Sequence, residues 1–178
     1  MVRITVSGLP GSGTSTLVRG ICEALGWSAL NGGDVFREEA ASRGLAVADF
    51  SQLCKSDPAV DRELDSRLVE AMEDVNGPEI VESRLAGWWA YRNHIDCLRI
   101  WVEVELDERL DRVTMREGDD VRRREESLLR EDADRQRYTE LYGIDILSME
   151  PYDLVIDGTE PSATDVLQVV LTAMGDAS

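Results

Sequence analysis

The chain has 178 residues, 43% of them hydrophobic and 31% charged, with a formal net charge of −17, a length that suits one domain with a sizeable buried core. So acidic a surface repels nucleic acid and is not drawn to an anionic membrane, and no apolar run approaches the roughly 20 residues of a membrane span. Three scattered cysteines (Cys22, Cys54, Cys97) with no C-x-x-C, and a single histidine, His94, argue against a disulfide framework, a His-based metal site and a Ser-His-Asp triad.

Val2 to Val6 is β-branched and alternating, which predicts a first strand, and Ser15 to Leu25 carries apolar residues at helical spacing. Between them lies Ser7-Gly8-Leu9-Pro10-Gly11-Ser12-Gly13-Thr14-Ser15, a glycine-rich turn in the strand-turn-helix context of a phosphate-binding loop. There the backbone curls until consecutive N–H groups converge on one centre, and the helix N-terminus adds its positive dipole end. Against G-x-x-x-x-G-K-[ST], Gly8, Gly13 and Ser15 match and the lysine position holds Thr14. The anion site keeps its backbone donors, and the Ser15 hydroxyl is offered to Mg²⁺, but the missing point charge has to come from elsewhere. With no signal peptide ahead of the first strand, a cytoplasmic location is expected.

Trp27 to Leu30 predicts a second strand, and Asp34 is placed to cap a helix over 35–41. A helix begun near Val47 runs to Lys55, and Asp57-Pro58 opens a longer one to about Val75, with Asp57 as cap and Pro58 at the first helical position. Glu79 to Ser83 is a third strand and Cys97 to Val104 a fourth. Leu106 to Glu117 is a helix, Val121 to about Leu141 a long polar helix, Tyr152 to Ile156 the last strand, and Ser162 caps a closing helix over 163–174. Five short strands separated by helices predict a single α/β domain, doubly wound around a parallel sheet. Functional residues in such folds gather at the carboxyl ends of the strands.

That rule selects Asp34 and Arg37, three apart on one helical turn and suited to a second anionic substrate. It also selects Glu82, an acid placed to orient Mg²⁺ through water, and Arg84, able to clamp a phosphate bidentately. Of the 19 basic residues 18 are arginine, and nine of these fall between Arg109 and Arg137. Arg109, Arg116, Arg123, Arg130 and Arg137 recur every seven residues, a spacing that within one helix keeps one face with a drift of ~20° per heptad. Asp134 shares that face. Surface i,i+4 pairing explains part of this pattern, and a mobile arm bringing arginines to transferring phosphates explains the clustering as well.

The P-loop followed in order by G-G-D-V-F-R, D-P-A-V-D-R-E-L-D, E-S-R-L-A-G-W, R-E-G, R-E-D-A-D-R-Q-R-Y and Y-D-L-V-I-D resembles the archaeal-type cytidylate kinases from Val2 through Asp157. The resemblance implies a P-loop nucleoside monophosphate kinase fold over 1–178, a five-stranded parallel sheet flanked by helices, with acceptor-binding helices near 32–75 and a helical lid near 116–140. It implies transfer of the γ-phosphoryl group of ATP to CMP or dCMP with Mg²⁺, by an enzyme expected to be a monomer. Carried over position by position, it assigns residues 7–15 to the ATP phosphates and Asp34, Arg37 and Gly87 to the nucleoside monophosphate. Arg84 would hold the acceptor phosphate, Arg116, Arg130 and Arg137 would reach phosphates from the lid, and Asp134 would accept from ribose. Two other readings fit the same residues: a nucleotide-binding switch or assembly factor with little turnover, and a kinase of this fold acting on AMP, UMP or a small hydroxylated metabolite. For the base, Asp61, Arg62 and Asp65 are candidates, and a salt-bridged surface helix explains them equally.

Overall fold

In the computed structural model, residues 1–117 and 121–176 are described, those at 116, 117, 121–123, 130 and 176 without their side chains. The β-branched runs form five parallel strands: β1 (Ile4–Gly8), β2 (Ala29–Asn31), β3 (Ile80–Glu82), β4 (Leu98–Glu103) and β5 (Leu154–Asp157), in the spatial order β2-β3-β1-β4-β5. Helices α1 (Thr14–Leu25), α2 (Gly32–Ser42), α3 (Val47–Ser56), α4 (Pro58–Glu73), α5 (Ala86–Arg92), α6 (Leu106–Glu117), α7 (Val121–Tyr142) and α8 (Ala163–Asp176) connect and cover them. This is the predicted α/β architecture with the predicted strand count.

Both sheet faces are buried, as parallel sheets require. Ile4, Val6, Ile80, Ile100, Val102 and Ile156 pack against Leu17, Val18 and Ile21 of α1 and Val166 and Val170 of α8. On the opposite face Val81 and Trp101 meet Leu64, Leu68 and Met72 of α4 and the Trp88-Trp89 pair of α5. α4 opens as expected: the Asp57 side chain accepts from the Ala59 N–H, with Pro58 in the first turn.

Three local expectations change. Asp34 does not cap α2: the helix starts three residues earlier than expected, at Gly32, and Asn31 Oδ1 accepts from the N–H groups of Gly33 (2.8 Å) and Asp34 (3.2 Å). Residues 86–92, which the sequence assigns to no element, form α5, with Ala86 to Ala90 buried. The seven-residue arginine stripe does not lie on one helix, because Arg109 and Arg116 belong to α6 and Arg123, Arg130 and Arg137 to α7.

Candidate active site

Register places the site. Val6 of β1 and Asn31 of β2 both pair with Glu82, the last residue of β3, so β2 and β3 end two residues below the end of β1 and the glycine-rich turn. The loop then rises and enters α1 through Gly13 at φ 86°, a cap residue with no side chain to compete for the helix's first N–H groups. Gly11 is also left-handed (φ 86°), and a Cβ there would lie 2.3 Å from the Arg109 carbonyl oxygen, so the crest of the loop is seated on α6. Ser12 Oγ is buried in the loop without a hydrogen-bond partner among the described residues, as expected of a group awaiting an external acceptor or donor.

Ser15 and Glu82 are brought together. Ser15 Oγ donates to Glu82 Oε1 at 2.7 Å, and Asn31 Nδ2 donates to Oε2 at 2.6 Å, with Glu82 itself 6% exposed. Asn31 therefore does two jobs, capping α2 with its oxygen and aiming the Glu82 carboxylate with its nitrogen. A hydroxyl and an ionisable carboxyl, both hard oxygen donors, fit the few protein contacts that Mg²⁺ takes when phosphates and water complete its shell.

Arg84 and Arg137 are also brought together, and are neutralised by acids from two helices. Arg84 ion-pairs with Asp134 of α7. Arg137 donates through Nη2 to Asp134 (3.2 Å) and through Nη1 to both oxygens of buried Asp61 on α4 (3.0 and 3.2 Å). One turn further along α4, Asp65 Oδ2 accepts from Tyr142 Oη (2.5 Å) and Oδ1 from Trp89 Nε1 (3.2 Å). Burial pushes the Asp65 carboxyl up to about 6, against the Tyr142 hydrogen bond that favours its ionised form; burial raises Asp61 too, with Arg137 opposing. Asp61 and Asp65 are thus occupied by groups of α7 and α5, while Arg62 is exposed.

Other predicted residues stand apart from this cluster. Asp34 and Arg37 pair with each other at 2.7 Å on the exposed first turns of α2. Gly87 lies in the core: its N–H donates to Ser7 Oγ (3.2 Å), and a Cβ would meet the Tyr152 ring at 2.3 Å. That N–H belongs to the joint between α5 and β1. The side chains of Arg116 and Arg130 lie outside the described residues. Arg109 is 5% exposed and committed to Val104 O, Pro10 O and Glu131, so the stripe's first member braces the loop and does not reach outward.

Sequence reasoning did not single out Asn31, Tyr152 or Arg112 for the site. Arg112 Nη2 donates to the carbonyls of Gly158 (2.9 Å) and Thr159 (3.3 Å), beside the loop's Gly13. Only Asn31 had a signal, as a cap residue before Gly32-Gly33. A cavity of about 520 Å³ opens near Leu9, lined by Trp101, Glu103, Glu105, Glu131 and Asp157. Its carboxylates disfavour phosphate there, although Arg109 also lines it.

Residues 7–140 match a family model described as an AAA domain. Over the whole length, the chain is 37% identical to a cytidylate kinase of Archaeoglobus fulgidus, an alignment covering 97% of this chain and 94% of that protein. It is 40% identical to a cytidylate kinase of Pyrococcus abyssi (96% and 92%) and 38% identical to one of Methanococcoides burtonii (97% and 98%). Among solved structures, shikimate kinase from Acinetobacter baumannii in complex with shikimate superposes with a TM-score of 0.64 at 14% identity, covering 100% of this chain and 96% of that one. A gluconokinase from Sinorhizobium meliloti gives 0.62 at 15% identity, covering 99% and 93%, and both likenesses speak to the P-loop kinase fold alone. Sequence kinship along the full chain, on a P-loop kinase fold whose strand ends gather a serine, a carboxylate and two arginines, leads to one conclusion: the chain belongs to the cytidylate kinase family.

Proposed function

We propose that the protein transfers the γ-phosphoryl group of ATP to CMP or dCMP, giving ADP and the nucleoside diphosphate, with Mg²⁺. The observation that supports the reading is the placement of the phosphate-binding loop and Arg84 just after adjacent strands, β1 and β3, where one loop and one guanidinium could serve two phosphates. Residues 7–15 would cradle the ATP phosphates, with Ser15 holding Mg²⁺ and Glu82 orienting it through water; the ion would neutralise charge on the phosphate oxygens. Arg84 would take the acceptor phosphate bidentately and exchange Asp134 for it. Asp134, still held by Arg137 through Oδ1, would then offer its other oxygen to the ribose. Arg116 and Arg130 would supply cations to the equatorial oxygens in place of the lysine absent at Thr14, and Arg137 would reach the acceptor phosphate beside Arg84. The acceptor's own phosphate oxygen is the nucleophile and is already ionised, so no general base is required.

In this reading helices within 32–75 bind the acceptor and a lid near 116–140 excludes water; the enzyme works as a monomer in the cytoplasm, with no nucleic acid or membrane partner. Among the described residues no helix is long and apolar enough to cross a membrane. A panel of CMP, dCMP, UMP and AMP with ATP and Mg²⁺, followed by ADP release, tests the assignment. Fastest release with CMP or dCMP is expected; equal or faster release with AMP or UMP overturns the acceptor. Thr14 in the lysine position favours one second reading, a nucleotide-binding switch, for which ATP binding without release on any acceptor is the signature.

A further inference from the structure

Asp61 and Asp65 stand one helical turn apart on α4 and face the same side of α7. Each takes a donor from it: Arg137 bridges both oxygens of Asp61, and the Tyr142 hydroxyl reaches Asp65 at 2.5 Å. Asp65 also holds Trp89 of α5, whose ring meets Tyr142 edge-on at a centroid distance of 4.8 Å and 87°. Arg92 of α5 then donates to the Tyr142 carbonyl at 3.0 Å. The C-terminal turn of α7 is thus held from two helices by one aspartate, one arginine and one aromatic pair. The other end of α7 is tied elsewhere: Arg124 pairs with Asp107 and Asp111 of α6.

Arg137 lies about one and a half turns before Tyr142, and Asp134 one turn before that. A rigid helix carries a displacement of its last turn to both. A guanidinium fork is also directional, so a carboxylate beneath it sets its plane as well as its charge. A leucine at position 65 would pack these helices together without desolvating a carboxyl. What the aspartate adds is that its two oxygens grip two donors in one fixed geometry.

We propose that Asp65 is a positioning residue for the acceptor side of the site: its grip on Tyr142 and Trp89 sets where α7 docks on α4, and so where Arg137 and Asp134 meet the acceptor phosphate and ribose. The inference rests on the phosphoryl-transfer reading above and deepens it. Because α4 belongs to the acceptor-binding helices, the contact transmits their position to α7 and leaves the ATP loop untouched.

The full chain is assayed as D65N, D65A and Y142F, with KM measured separately for CMP and ATP. D65A and Y142F are expected to lower kcat/KM for CMP by roughly tenfold to a hundredfold with KM for ATP within about twofold, and D65N, which keeps one acceptor oxygen, to fall between them and wild type. The D65A/Y142F double variant is expected to be no worse than the poorer single one, since both cut the same contact. Both KM values unchanged, or both shifted together, overturns the inference, as does strict additivity. A second readout needs no turnover and separates this failure from failure of the cytidylate assignment. The Arg137 Nε–H resonance, assigned by its loss in R137K, is expected to shift in D65N and in Y142F. If wild type ignores CMP while this resonance shifts, the acceptor is wrong and the positioning role stands; if the resonance stays put, Asp65 does not position Arg137.

Discussion

Arg109 and Glu131 form a two-pronged ion pair across α6 and α7, Nη1 to Oε2 at 2.7 Å and Nη2 to Oε1 at 3.1 Å. The same guanidinium donates to the carbonyls of Pro10 (3.2 Å) and Val104 (3.1 Å), so one side chain joins the phosphate-binding loop, the end of β4 and the long polar helix. Arg109→Ala leaves Glu131 and two carbonyls without their donor at a buried site. It is expected to cost about 3–5 kcal/mol in folding stability, read as a lower midpoint in urea unfolding. Arg109→Lys recovers little of this, because an ammonium cannot reproduce the fork. An Arg109→Ala protein as stable as wild type would show that this guanidinium does not brace the loop.

Glu82 is held by one hydroxyl and one amide, both donating to it. Glu82→Gln keeps its size, removes its charge and turns one acceptor into a donor facing Ser15 or Asn31. The Mg²⁺ concentration for half-maximal rate is expected to rise about 10–100-fold, while the unfolding midpoint changes little. Asn31→Ala is expected to raise that Mg²⁺ requirement more modestly and to cost about 0.5–2 kcal/mol in stability, since α2 loses its cap. A magnesium titration unchanged in both variants would remove Glu82 from the metal site.

Arg84 touches the acceptor phosphate in the proposed mechanism, and its side chain is 34% exposed, so the fold does not depend on it. Arg84→Ala is expected to raise the barrier behind kcat/KM by about 2–4 kcal/mol through loss of a charge-assisted clamp in a closed site. Steady-state kinetics on CMP and a denaturation curve decide it together. An unchanged rate would leave the Arg84–Asp134 pair as a surface ion pair only.

Gly87 has no room for a side chain, because Tyr152 Cε1 would lie 2.3 Å from a Cβ. Gly87→Ala is expected to destabilise by about 1–3 kcal/mol through overpacking. Adding Tyr152→Ala removes the obstructing ring, so the double variant should lose less than the sum of the two single changes. Urea unfolding of the four proteins completes the cycle, and simple additivity would refute the packing account.

The folded-state pKa of Asp65 is raised by burial, from an ordinary 3.8 to about 6. Between those values the folded chain binds more protons than the unfolded one at this position. The contribution of Asp65 is therefore fully present below 3.8 and is lost as pH rises through about 6. Stability of wild type relative to Asp65→Asn is expected to fall across that window and level off above it. Asp61 shifts in the same direction, so a smaller slope of the same sign remains in the variant. Asp153 is lowered despite its burial, by the hydrogen bonds and charge of Arg99, so its contribution is lost only below 3.8 and does not overlap. Unfolding free energies at several pH values from 4 to 7 test the slope; parallel curves for the two proteins contradict it.

Much of this molecule is legible in one dimension. Strand count, the alternation of strand and helix that makes the sheet parallel, the phosphate-binding turn and the Asp57-Pro58 helix start follow from residue type and local spacing, because they depend on neighbours in sequence: φ freedom at glycine, the missing N–H of proline, the two- and 3.6-residue periods. The pairing of Ser15 with Glu82 was implied by the rule that active groups collect at the carboxyl ends of parallel strands. Other features depended on which helices come to face each other. The heptad of arginines read as one face, yet the break between α6 and α7 turned Arg109 inward to brace the loop and left Arg137 facing Asp61. Nothing local distinguishes those two guanidiniums, since each is an arginine among acids on a polar helix. Asp65 likewise looks like a surface charge until α5 and α7 bring an indole and a phenol to its two oxygens. Spacing along the chain determined which residues could share a face; packing between helices decided which of those charges were buried, paired and aimed.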